Sequence, residues 1–245
     1  MKIALFSDIH ANLPAFEAML ADLDNRQADA VYCLGDLVGY NVCPNEVIAH
    51  IRKRGIATLA GNHDLKPQKM VTSPQSLTEP GKSHAYYLIN DENRKYLASL
   101  PAHIRLEFKL TDEPLNVVLA HGSTRNVDEY VLEDLDEAYV LDMMEEANAD
   151  VLCVGHSHKP YHRVIKTNDH KFKHVINIGS VGKPKDGNPD ACYVILTLNE
   201  TSTAADSNSI QAAFIRVPYD VEKAAAAVEK SPLPNEFADR LRKAY

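Results

Sequence analysis

The sequence predicts an α/β fold in which two facing mixed β-sheets are flanked by helices, in a single domain spanning residues 1–245. Three observations carry this expectation. The first half alternates short apolar, β-branched runs with amphipathic helical stretches, as βαβ units with parallel pairing do. The second half changes to closely spaced strand-like runs with short connections, which predicts a second, mostly antiparallel sheet. No internal repeat, low-complexity tract or linker divides the chain, and its 245 residues can bury one sizeable core.

Taken in order, residues 3–6 (IALF) read as a buried strand that ends at Ser7-Asp8. Helix 14–23 follows, with Pro14 in its first turn, where the missing N–H breaks no helical hydrogen bond. Strand 30–34 ends at Gly35-Asp36, helix 44–52 comes next, and strand 56–60 ends at Gly61-Asn62. Three strands thus deliver Asp8, Asp36 and Asn62 at their carboxyl ends, where open α/β sheets bind ligands. From 65 to 83 the periodicity lapses among Pro67, Pro74, Pro80 and Gly81, which predicts a loop over the site. Helix 91–100, strands 104–110 and 115–120 and an acidic helix at 135–147 are expected next. Strands at 151–154, 161–165, 171–178, 191–198 and 210–217 make the expected second sheet, and helices at 221–230 and 236–244 close the chain.

A net charge of −8 argues against a surface built to coat a large nucleic acid, which needs clustered Lys and Arg. It leaves room for a small anionic substrate, because bound cations invert the field of one pocket. The four cysteines form no CxxC pair, and Cys33, Cys153 and Cys192 sit in apolar runs, as buried free thiols do. The apolar N-terminal run stops at Asp8, too short for a signal peptide, and no stretch approaches the ~18 apolar residues of a membrane span. A cytoplasmic protein without membrane contact is expected.

Five stretches gather the chemistry: Asp8-Ile9-His10, Gly35-Asp36, Gly61-Asn62-His63-Asp64, His121-Gly122 and Gly155-His156-Ser157-His158. Each follows a β-type apolar run. Period-two alternation puts Asp8 and His10 on one side of the departing chain, and His156 and His158 likewise. Carboxylates able to bridge, together with neutral imidazoles, suit a pair of borderline divalent metals. Two such ions ~3.5–4 Å apart lower the pKa of bound water to roughly 7 and neutralise phosphoryl oxygens.

In this order the stretches SDIH (7–10), GDLVG (35–39), GNHD (61–64), HGS (121–123) and GHSH (155–158) resemble the calcineurin-like metallophosphoesterases. The resemblance spans residues 1 to about 193. It is similar in particular to a small bacterial phosphodiesterase branch through GYNVCPNEVI (39–48), ENRKYLASLP (92–101), HGSTRNVDEY (121–130) and NIGSVGKPKDGNP (177–189). The resemblance implies an αββα sandwich. It also implies one metal on Asp8, His10, Asp36 and His158 and a second on Asp36, Asn62, His121 and His156, with Asp36 bridging. His63 would contact a phosphate oxygen or protonate the leaving group, with Asp64 orienting it; Asp64 reads otherwise as a turn residue that caps the next segment. The implied reaction is hydrolysis of phosphodiester or pyrophosphate-type bonds in small molecules, nucleotides among them, by a hydroxide held between two transition-metal ions (Mn, Fe or Zn). A phosphomonoesterase, including one that acts on a phosphoprotein, is the leading alternative; a non-catalytic interaction module on the same fold is the other. Ala11, Asn41, Cys43 and Ile178 depart from the branch pattern, where Gly, Gly, Asp and Pro are usual, and bear on substrate preference rather than on the metals.

Other residues carry two readings each. Asn12 and Arg125 are candidate substrate contacts, Arg125 equally a surface ion-pair partner. Gly179-Ser180-Val181-Gly182 is an anion-holding loop or a tight turn beside the site. Tyr86 and Tyr87 stack a base or belong to the core. Segment 65–90, with Lys66, Lys69, Lys82 and His84, is a specificity element or a solvated connector. His50, His84, His103, His162, His170 and His174 are expected to be structural or solvated, and Cys43 an idle thiol.

Overall fold

A computed structural model describes residues 1–71 and 73–245. Strands β1 (Lys2–Phe6), β2 (Ala30–Cys33) and β3 (Ala57–Thr58) are parallel and alternate with helices α1 (Leu13–Asp24) and α2 (Pro44–Arg54). Asn12 caps α1, its side chain accepting from the Ala15 N–H, and Gly55 ends α2 at φ 62°, the left-handed conformation glycine adopts without cost. Strand β4 (His103–Phe108) pairs antiparallel with β5 (Leu115–Ala120), and β5, β6 (Val151–Val154) and β8 (Phe172–Asn177) run parallel. Strand β7 (Tyr161–Lys166) pairs antiparallel with β8 at the edge.

The last two strands, β9 (Ala191–Thr197) and β10 (Gln211–Val217), do not join that second sheet. They extend the first, β9 antiparallel to β1, which gives the orders β10-β9-β1-β2-β3 and β4-β5-β6-β8-β7. The two facing mixed sheets expected from the sequence are therefore present, five strands in each, while the mostly antiparallel character expected of the second is corrected. The reason is burial: six of the seven residues of β9 are buried, as an interior strand requires.

Alternation along the strands builds the layers. In β1, Ile3 and Leu5 face the other sheet and pack with Leu119, Val151, Cys153 and Ile176, while Ala4 and Phe6 face α1 and α2 with Phe16, Met19 and Ile48. On the far side Val118, Leu152 and Val154 pack beneath α6 (Glu137–Glu146) through Val140, Met143 and Met144. The result is helix, sheet, sheet, helix.

The loop expected at 65–83 carries no helix or strand from Met70 to Ser83 among the described residues, and short helical turns flank it. Asn62–Leu65 (α3) continues into a tight 3₁₀ turn at Lys66–Lys69, and a short helix α4 (His84–Tyr87) precedes α5 (Asp91–Ala98); Thr72, within this segment, lies outside the described residues. Ala85 packs with Phe237, Ala238 and Leu241 of α8 (Glu236–Lys243) and with Ala224, Ala225 and Val228 of α7 (Val221–Glu229). Among the described residues no helix is long and apolar enough to cross a membrane.

Candidate metal centre

The five motif stretches leave the carboxyl ends of β1, β2, β3, β5 and β6 and meet where the two sheets face each other. Backbone hydrogen bonds tie them together: Asp8 N–H donates to Gly35 O (3.0 Å), His10 N–H to Asp36 O (2.9 Å) and Gly155 N–H to His121 O (2.9 Å). Asp8, His10, Asp36, His156 and His158 all adopt left-handed backbone, with φ between 51° and 63°. Non-glycine residues rarely do so, and the strain belongs to sites that surrounding structure over-determines.

Three overlapping groups of metal-capable side chains form among the described residues: Asp8, His10 and His158; Asp36, His121 and His156; and His10, Asp36 and His63. All are buried. Asp8 Oδ1 lies 3.0 Å from His158 Nε2 and 3.5 Å from His10 Nε2. Asp36 Oδ2 lies 3.6 Å from His10 Nε2 and 3.4 Å from His121 Nε2, between the first two groups. Each carboxylate commits its other oxygen to a backbone donor: Asp8 Oδ2 accepts His156 N–H (3.0 Å) and Asp36 Oδ1 accepts His63 N–H (2.7 Å).

The imidazoles are oriented in the same manner. Nδ1–H of His10, His121 and His158 donates to the carbonyls of Val38 (3.0 Å), Leu34 (2.8 Å) and Lys183 (2.5 Å). That choice of tautomer leaves each Nε2 lone pair turned inward, the arrangement metal-binding histidines use. His156 instead directs Nε2 at the Asp128 carbonyl (3.2 Å), which frees Nδ1, and Tyr130 stacks on its ring at 4.1 Å. His10 Nε2 and His158 Nε2 face each other across 3.2 Å. Two lone pairs so placed call for a cation between or beside them.

The donor set fits divalent ions. Asp8 Oδ1, Asn62 Oδ1 and His121 Nε2 are buried without a hydrogen-bond partner among the described residues, a costly state unless an ion completes it. Asp8, His10, Asp36 and His158 would hold one ion, and Asp36, Asn62, His121 and His156 a second. The charges agree. Burial opposes ionisation of Asp8 and Asp36, yet neighbouring imidazoles outweigh it and hold both carboxyls well below the usual range. Burial likewise opposes a charge on His121, but Asp36 and Asp8 push it up to about 10, so a proton occupies the place of a cation there.

His63 stands beside this set, its ring 4.9 Å from that of His10 and 4.7 Å from that of Tyr40. Its Nδ1 lies 2.6 Å from the Tyr86 hydroxyl, a partner motif spacing did not indicate. Gly39, at φ 94°, makes room: a Cβ there would stand 2.4 Å from His63 Nδ1. Burial, against the pull of Asp36, takes His63 down to about 2, so the ring is neutral at pH 7. The expectation that Asp64 orients His63 is corrected. Asp64 Oδ2 accepts Asp36 N–H (2.7 Å) and Gly61 N–H (2.9 Å), and Oδ1 accepts Leu37 N–H (2.9 Å). Both oxygens are committed to the loops that carry Asp36 and Asn62, so the residue fixes the backbone of those candidate ligands. Burial and Asp36 push its carboxyl up to about 7, while the donated N–H groups favour the ionised form.

The two candidate substrate contacts both have partners within the protein, Arg125 in the ion pair that was its other reading. Asn12 is 1% exposed, with Oδ1 capping α1 and Nδ2 donating to Gly182 O (2.9 Å) and Tyr219 Oη (3.2 Å), which leaves nothing for a substrate. Arg125 grips Glu146 of α6 with Nε and Nη2 (2.8 and 2.7 Å) and lies 4.6 Å from the Tyr139 ring centre. The Gly179–Gly182 stretch is a turn packed under the first ligand loop: Ser180 Oγ–H and Gly182 N–H both donate to Asp8 O (2.8 and 2.9 Å). Missed by motif reasoning, Asn41 holds the same loop, donating to His10 O at 2.8 Å.

Residues 1–201 match the calcineurin-like phosphoesterase superfamily domain. An uncharacterized protein of Methanocaldococcus jannaschii is 34% identical, over 98% of this chain and 96% of that one. The crystal structure of a metallophosphoesterase from Sphaerobacter thermophilus is 26% identical with a TM-score of 0.77, covering 100% of both chains. A hypothetical protein from Pyrococcus horikoshii superposes with a TM-score of 0.75 at 22% identity, over 100% of this chain and 98% of that one, and so shares the fold. Sequence motifs, paired donor groups and family match converge: this chain belongs to the calcineurin-like phosphoesterase superfamily.

Proposed function

We propose that the protein is a binuclear metal-dependent phosphoesterase acting on phosphodiester or pyrophosphate-type bonds of small molecules, nucleotides included. One observation supports the reading above others: Asp36 Oδ2 stands between the His10 and His121 nitrogens, 3.6 and 3.4 Å away, where a single carboxylate bridges two ligand sets. Mn, Fe and Zn all suit carboxylate, imidazole and amide donors. When bound, such ions supply an activated water and neutralise charge on the phosphoryl oxygens.

The chain's own groups do the rest. Asp64 and the left-handed ligand residues hold the cluster rigid before substrate arrives. With Tyr86 O–H donating to His63 Nδ1, the opposite nitrogen carries the N–H and would donate it as a hydrogen bond to a phosphate oxygen or to the departing oxygen. A neutral ring does this without giving up its proton, and the hydrogen bond strengthens as charge develops on that oxygen. The donor set is complete, which argues against a purely structural module on this fold. The four unpaired thiols fit a reducing compartment such as the cytoplasm.

The test is turnover of bis(4-nitrophenyl) phosphate, 4-nitrophenyl phosphate and a nucleotide panel with added Mn²⁺. Metal-dependent hydrolysis with kcat/KM higher on the diester is expected. A preference for the monoester assigns a phosphomonoesterase instead, and no metal-dependent hydrolysis of any substrate contradicts the reading.

A further inference from the structure

Lys183 is unusual among the cations of this protein. It is 1% exposed, and its Nζ is buried without a hydrogen-bond partner among the described residues. An ammonium offers three donors, and Nζ lies over the face of the Tyr40 ring, 4.7 Å from its centre. A ring face attracts a cation but accepts no conventional hydrogen bond, so the donors stay open. The position is not an accident of a mobile chain. Lys183 N–H donates to Ser180 Oγ (2.9 Å) and its carbonyl accepts from His158 Nδ1 (2.5 Å), which locks the residue to the metal-binding loop.

Two further cations, Lys185 and Arg240, lie within electrostatic reach of Lys183. Lys185 is anchored by its N–H on His158 O (3.2 Å) and lies within electrostatic reach of Asp8, Asp36, Arg240 and Lys159. Arg240 comes from α8, in the part of the chain beyond the family match, and its Nε is also buried without a partner. The opposing charge on Lys183 is Asp8. Once divalent ions occupy Asp8 and Asp36, those carboxylates no longer balance Lys183 and Lys185, while Arg240 is paired with Glu236 of α8 at 3.7 Å. Tyr40 links Lys183 to the candidate centre, its ring 4.8 Å from that of His10 and 4.7 Å from that of His63.

We propose that Lys183, Lys185 and Arg240 form an anion subsite beside the metal centre that takes a second phosphate of the substrate. The substrate class is then a nucleoside polyphosphate or another molecule with a phosphate adjoining the scissile one. This rests on the phosphoesterase reading above and narrows it. The α7–α8 pair is the element that completes the site, because Phe237 packs edge-on against Tyr40 at 5.0 Å and Gly187 N–H donates to Ala244 O (3.0 Å).

Methylenediphosphonate and methylphosphonate, hydrolysis-resistant probes with two and one phosphonate groups, are compared by calorimetry on the metal-loaded protein and as inhibitors of bis(4-nitrophenyl) phosphate hydrolysis. The wild type is expected to prefer the diphosphonate by about tenfold or more, as an added set of charge-assisted hydrogen bonds implies. Lys183→Met and Arg240→Gln are each expected to reduce that preference to threefold or less, with a much smaller change in affinity for methylphosphonate. Should Lys183→Met fail to fold, Arg240→Gln and Lys185→Gln decide. Metal stripping by the diphosphonate would act alike on every variant and leave their differences intact. Equal affinity for both probes in the wild type, or a preference undiminished in the variants, overturns the subsite. A calorimetric preference that the variants abolish in a protein with no hydrolytic activity would sustain the subsite and overturn the phosphoesterase reading.

Discussion

Asp64 illustrates at the residue scale what motif spacing conveys and what it omits. The types and order of Asp8, His10, Asp36, Asn62, His121, His156 and His158 were legible, because imidazole and carboxylate after strand ends have few other uses. The role of Asp64 was not, since its partners Asp36 and Leu37 lie 28 and 27 residues away. Nor were the left-handed conformations legible; Ala11, at φ 55°, occupies one where the related branch usually has Gly. These contacts separate three variants. His63→Ala is expected to keep its metals and lose roughly 10²–10⁴-fold in rate, less on substrates with good leaving groups. Tyr86→Phe should lose about tenfold, because the hydroxyl acts only through the His63 ring. Asp64→Asn should behave differently, lowering stability by about 1–3 kcal/mol and weakening metal binding, as an amide cannot accept all three N–H groups. Thermal melts with metal analysis check this: an Asp64→Asn protein with wild-type stability and metal content, slowed like His63→Ala, would restore the orienting role.

Among the elements, the strands of the first half followed from their apolar runs and turn residues, and so did the bounds of α1, α2 and α5 to within a few residues. Sheet membership of β9 and β10 did not follow. A strand buried on both faces shows no alternation to say which neighbours it takes. The helices of 221–243 were legible as amphipathic, but their docking on Tyr40 depends on Phe237, far from any motif. Phe237 is 3% exposed and its loss should cost about 3–5 kcal/mol, the usual range for Phe→Ala in a core. Phe237→Ala is expected to lower the denaturation midpoint and raise KM while metal content stays at the wild-type value, because no ligand sits on α7 or α8. Metal loss in that variant would mean that the cap supports the centre itself.

For the whole molecule, the layered fold brings the carboxyl ends of two sheets face to face, and the candidate ligands divide between them. Asp8, Asp36 and Asn62 follow strands of one sheet, His121, His156 and His158 strands of the other. Bound ions would therefore clamp the sheets, and metal at 100 times its Kd should stabilise the fold by about 2.7 kcal/mol. The pH dependence follows from His121. Raised to about 10 in the metal-free protein, it adds stability fully below its ordinary value of 6.5, and this is lost as pH rises through 10. The melting temperature of chelator-treated protein should fall over that window, while apparent metal affinity rises as the competing proton leaves. A flat melting curve between pH 7 and 10 would argue that His121 is already neutral. The most direct test of the paired-ligand account is the metal content of purified, Mn²⁺-reconstituted protein and of its Asp36→Ala variant, by plasma mass spectrometry. The account predicts about two ions per chain in the wild type, and fewer than one, with activity abolished, in the variant, as loss of a shared bridge would cause. Two fully retained ions in Asp36→Ala, or a single ion in a fully active wild type, would contradict it.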